Sequence, residues 1–109
     1  MKAKLTEMLR RLGIWYFFPA ANGMGRAGIP DVVCIVDGRF VGIECKSGPD
    51  RQPTALQLQA AKMITAAGGR WFLACDQESI NNIETWIKKD VWRADRGTGQ
   101  GSGSQAQQP

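Results

Sequence analysis

Asp31, Glu44 and Lys46 are the residues of this chain whose types and spacing could do chemistry. Val32-Val33-Cys34-Ile35-Val36 and Phe40-Val41-Gly42-Ile43 are apolar and rich in β-formers, and Asp37-Gly38 between them is a strong two-residue hairpin turn. A turn centred on that pair sets Val36 opposite Arg39, Ile35 opposite Phe40 and Asp31 opposite Glu44. Facing residues have Cβ atoms roughly 4.5–5.5 Å apart, so both carboxylates can reach one hard cation and repel each other without it. Strand alternation puts Lys46 on the face of Glu44. Such a set could hold Mg²⁺ or Mn²⁺ on the two carboxylates, activate a water against a phosphodiester, and use the ammonium to orient that water or offset developing charge. The plain alternative is a turn residue opening a strand and a solvated strand end. Against it, the three charges interrupt a face otherwise built of Val33, Ile35 and Phe40, where unpaired ions are costly.

The elements that must position these groups follow along the chain. A helix is expected over residues 2–12, ended by Gly13, with Trp15-Tyr16-Phe17-Phe18 as a strand stopped by Pro19. The loop Asn22-Gly23-Met24-Gly25-Arg26-Ala27-Gly28 contains a literal Gly-x-Gly-x-x-Gly, but Pro30-Asp31 and a strand follow it, so the dinucleotide fingerprint fails its context. The loop reads either as a glycine segment approaching a phosphate, with Asn22 and Arg26 as DNA contacts, or as a plain connector. Gly48 to Pro53 is turn-rich and carries Arg51, a further candidate DNA contact. Thr54 and Gln57 form a capping-box pattern opening a helix to about Ala67, ended by Gly68-Gly69. Gln57 reads two ways, as that capping residue or as an inward-facing site residue in line with Ala60, Ala61 and Ile64. Trp71 to Cys75 is the next strand, reached by a crossover that should make it parallel to a hairpin strand. Asp76 can cap a last helix with an apolar stripe of Ile80, Ile83 and Ile87.

The fold class expected is therefore α/β, order α-β-β-β-α-β-α, with a mixed sheet covered by helices on both faces. One domain spans 1–92, and 93–109 is a Gly/Ser/Gln-rich tail too polar to order itself. Trp15, Tyr16, Trp71, Trp86 and Trp92 are expected in the core or an interface.

Composition narrows the chemistry. No histidine is present, which excludes histidine-based acid/base work, the usual triads and imidazole metal sites. Cys34, Cys45 and Cys75 form no Cys-x-x-Cys pair and read as buried free thiols of a reducing compartment. A formal net charge of +4, with Lys2, Lys4, Arg10, Arg11, Lys88, Lys89, Arg93 and Arg96 at the two ends, favours a polyanionic partner such as DNA. Neither a signal peptide nor a membrane-length apolar run is found, so a cytoplasmic protein is expected.

Gly28-Ile29-Pro30-Asp31, Gly38 to Lys46, Thr54-Ala55-Leu56-Gln57 and Ala66-Ala67-Gly68-Gly69 together resemble a VRR-NUC domain, the virus-type replication-repair nuclease of the PD-(D/E)xK superfamily. The resemblance runs from about the first helix to about residue 88, and small stand-alone copies of this kind look phage-like. It implies a restriction-endonuclease-like core and a Mg²⁺- or Mn²⁺-dependent, structure-selective endonuclease. It further implies a homodimer acting on branched DNA such as Holliday junctions. The metal ligands would fall on Asp31, Glu44 and the backbone carbonyl of Cys45, the catalytic lysine on Lys46 and the helix glutamine on Gln57. The family's early-helix glutamate has only Glu7 as a counterpart, and the helical wheel turns Glu7 away from the apolar stripe of Leu5, Met8, Leu9 and Leu12. Action on flaps, single strands or duplex ends, or a non-catalytic DNA-binding role, are the alternatives.

Overall fold

The computed structural model describes residues 1–20 and 28–97, the side chains of 90–97 excepted. The elements are α1 (Lys2–Arg11), β1 (Tyr16–Phe17), β2 (Val32–Val36), β3 (Arg39–Cys45), α2 (Ala55–Ala66), β4 (Arg70–Ala74) and α3 (Gln77–Gly97). The sheet is mixed, in the order β1-β2-β3-β4, antiparallel across the first two junctions and parallel between β3 and β4. The expected α/β class and element order are those observed.

Local chemistry explains the hairpin. Asp37 and Gly38 both take left-handed backbone, with φ of 52° and 76°, as a type I′ turn requires. That turn sets Val36 opposite Arg39 and carries the pairing down to Val32 opposite Ile43, the expected register. Thr54 opens α2: its hydroxyl accepts the Gln57 N–H while the Gln57 side chain accepts the Thr54 N–H. Asp76 caps α3 through its carboxylate, which accepts the Ser79 N–H at 2.8 Å.

The core lies on one face of the sheet. Leu5, Met8 and Leu9 of α1 meet Ile80, Ile83 and Ile87 of α3 over Val32, Cys34, Val36, Val41, Ile43 and Ala74. Burying each isoleucine stabilises the fold by roughly 1.5–3 kcal/mol. Arg11 and Glu84 join α1 to α3 at the rim through two hydrogen bonds of 3.1 and 2.9 Å.

The opposite face departs from expectation. Among the described residues only α2 lies there, against β3 and β4, and none of its residues is fully buried. Trp15, Phe17, Ile35 and Phe40 stay exposed while Val33 is buried, so Trp15 is not a core residue and, among the described residues, helices cover this hairpin face only in part. Trp71 and Trp86 are half-buried, Trp86 edge-on to Phe72; the side chain of Trp92 lies outside the described residues. β1 is shorter than the expected 15–18. Trp15 keeps one bond, from the Ile35 N–H to its carbonyl, and Pro19 supplies no N–H to prolong the ladder. α3 continues to Gly97, so residues 93–97 of the expected tail are helical, while 98–109 lie outside the described residues. Cys34 is buried, but Cys45 and Cys75 are only half-buried, and Cys75 falls just beyond β4. Among the described residues no helix is long and apolar enough to cross a membrane.

Candidate active site

Pro30 and Asp31 enter β2 from a bend, one residue before the ladder closes. Continued pairing would set Asp31 opposite Glu44. Instead of its backbone, the Asp31 carboxylate serves β3, with Oδ2 accepting the Cys45 N–H at 2.9 Å. This bond ties the acid to the Glu44-Cys45 end of the strand.

Glu44 is 4% exposed. Its Oε2 accepts from Gln57 Nε2 at 2.7 Å, while its Oε1 is buried without a partner. Burial, above all, pushes its carboxyl up to about 7; hydrogen bonding to Asp31 and repulsion from it add to the rise, and the charges of Lys46 and Lys2 oppose it. A carboxylate in this position calls for a proton or a cation.

Lys46 is half-buried just past β3, and its N–H donates to the Ala74 carbonyl at 3.0 Å, which fixes it by parallel pairing with β4. Alternation from Glu44 puts both side chains on one side of the strand. Gln57 resolves its two readings by doing both: Oε1 holds the Thr54 N–H at 2.8 Å and Nε2 holds Glu44. The connector between Lys46 and Thr54 is thereby tied to the carboxylate it spans.

The thiol of Cys45 points to the core and is pushed up to about 11, chiefly by burial and then by Asp31. Its backbone carbonyl remains available as a neutral oxygen. Lys2 reaches this end of the sheet from the first turn of α1, where it acts on Glu44 and Cys45 and lies 5.2 Å from the Phe18 ring. No sequence signal marks Lys2, because its place depends on how α1 packs. α2 also begins here, its first turn supplying Gln57.

Glu7 and Arg51 are not brought to this site. Glu7 is exposed and lines a groove between α1 and α3 with Lys4, Arg11, Asn81 and Glu84; it is absent from the charges acting on Glu44. Arg51 is held in the connector, with Nε donating to the Gly48 carbonyl at 3.2 Å and Nη1 3.5 Å from Asp76 Oδ2. Asn22 and Arg26 lie outside the described residues. Among the described residues no cluster of three or more cysteine and carboxylate side chains could hold a metal ion. The Asp31 and Glu44 pair, completed by the Cys45 carbonyl and by solvent or substrate oxygens, still suits a hard cation, because the orphaned Oε1 of Glu44 needs a positive partner. No family model matches this chain, and no curated protein does.

Proposed function

We propose that this chain is a metal-dependent DNA endonuclease of the PD-(D/E)xK type, close to the VRR-NUC form, acting as a homodimer on branched DNA such as a four-way junction. One observation carries this reading: Glu44 is buried beside Asp31 with an unpartnered oxygen, and Gln57 holds its other oxygen in place. Burying an acid beside a second, half-buried one is costly unless a proton or a cation offsets the charge, and a cation can bind both at once.

A Mg²⁺ or Mn²⁺ ion held by Asp31, Glu44 and the Cys45 carbonyl would polarise a phosphodiester and lower the pKa of a bound water. The remaining work falls to the chain. Asp31 is oriented by the Cys45 N–H and Glu44 by Gln57, so both oxygens are placed before substrate arrives. Lys46 supplies the positive charge that orients the attacking water or offsets charge growing on the phosphate. The charges of Lys46 and Lys2, which both act on Glu44, favour the approach of a polyanion to the same end.

The test is cleavage of end-labelled four-way junction, flap, single strand and linear duplex in Mg²⁺, Mn²⁺ or EDTA, with wild type and Lys46→Ala. Paired cuts at the junction that disappear in EDTA and in Lys46→Ala are expected. Cleavage confined to flaps or ends would keep the chemistry and change the substrate. Junction binding with no cutting in either metal would leave a DNA-binding module in place of an enzyme.

A further inference from the structure

Among the described residues, the face of the sheet that α2 covers only in part carries a protruding element and a recess on one surface. Tyr16 packs against the core and Cys34 lies within it, so their neighbours Trp15, Phe17 and Ile35 point the opposite way. Trp15 is 65% exposed, its ring centroid 5.5 Å from that of Phe17. Ile35 pairs with Phe40, which leads into a groove of about 460 Å³ between the sheet and α2, lined by Ile29, Phe40, Leu56, Ala60, Met63 and Ile64 among others. A cavity of about 150 Å³ accepts benzene, so this groove has room for an indole.

From this arrangement we infer that the face binds a second copy of the chain, Trp15 and Phe17 of each copy entering the α2 groove of the other. A twofold pairing needs one self-complementary patch, and a ridge beside a groove meets that need. The apolar area alone supplies most of what a dimer needs. With aromatic side chains of roughly 150–250 Å² each, the exposed parts of Trp15, Phe17, Ile29, Ile35, Phe40, Leu56 and Met63 sum to on the order of 600 Å². A standard interface buries about 800 Å² per partner, and a patch this large is at the upper end for a monomer.

Charge points the same way. The chain carries a net +4, so two copies repel except where they meet through uncharged surface. None of the residues lining the groove is charged, which also makes it unsuited to DNA phosphates. This inference rests on the homodimer reading above and names the surface that forms the dimer.

Sedimentation equilibrium without metal or DNA tests it. Wild type is expected at twice the chain mass of 12.0 kDa. Trp15→Asp and Met63→Asp should each weaken the dimer roughly 30-fold or more, the size of a lost interfacial anchor. Leu58→Asp, exposed on α2 but outside the groove, should leave it unchanged. As a check independent of folding losses, Trp15→Cys mixed with Met63→Cys should cross-link with a short bismaleimide far beyond either variant alone. A wild type that stays monomeric at every concentration, or a dimer that neither aspartate variant weakens, would overturn the inference. A monomer that cleaves DNA would sink this proposal alone; a dimer without metal-dependent cleavage would sink the catalytic reading alone.

Discussion

Gln57 Nε2 donates to Glu44 Oε2 across 2.7 Å while Gln57 Oε1 accepts the Thr54 N–H at 2.8 Å. One amide therefore starts α2 and orients a buried acid, which links the stability of the helix to the geometry of the site.

Gln57→Glu separates these roles. A glutamate can still accept the Thr54 N–H, but its second oxygen faces Glu44 and repels it. The variant is expected to keep the α2 cap and to lose most divalent-metal affinity and activity. Gln57→Ala loses both, with about 1 kcal/mol of stability from the cap alone. Thermal unfolding alongside Mn²⁺ titration distinguishes the two variants.

Stability without metal should fall as pH rises. Folded protein keeps the Glu44 proton up to about 7, whereas the unfolded chain releases it near 4.5. Between those values the folded state binds more protons, so each unit of rising pH removes up to about 1.4 kcal/mol. Urea unfolding in EDTA should show the midpoint dropping between these values, and Glu44→Gln should flatten the curve. Metal binding has the opposite slope, strengthening with pH as the cation displaces the proton.

Gly42→Ala should damage the site through Pro30. A Cβ on Gly42 would lie 2.7 Å from Pro30 Cγ and 3.2 Å from its Cβ, with Ile64 Cδ1 at 3.4 Å. Relief of that clash displaces Pro30 and, with it, Asp31. The expected cost is roughly 1–3 kcal/mol of stability and a larger proportional loss of metal affinity, read by denaturation and metal titration on the same sample.

Glu84→Gln should weaken the fold and spare the chemistry. Arg11 first, and then Lys88, hold the Glu84 carboxyl down at about 2. Its contribution is complete above the ordinary 4.5 and is lost as pH falls toward 2. Because Arg11 is half-exposed, only a small loss of stability is expected, shrinking in salt, with cleavage unchanged. Urea titrations at low and high salt check this.

The site was legible where local chemistry dictates geometry. Asp37-Gly38 permits the type I′ turn, the turn sets the register, and the register brings Asp31 to Glu44. Thr54 and Gln57 at capping spacing likewise start α2 where they stand in the sequence. Contacts made by packing were not legible. The charge of Lys2 acts on Glu44 only because of how α1 docks, and Arg51 meets Asp76 only once β4 lies beside β3. Apolar alternation suggested covered faces around Trp15, Ile35 and Phe40, but alternation cannot tell whether a helix of the same chain or another surface supplies the cover.

The central claim is that Asp31 and Glu44 together hold a divalent cation, and a Mn²⁺ titration followed by the electron paramagnetic resonance of the free ion tests it most directly. Wild type at about pH 8, above the Glu44 titration, should show saturable binding that Asp31→Asn and Glu44→Gln each abolish while remaining folded. Failure of wild type to bind Mn²⁺, or equal binding by both variants, would contradict the account.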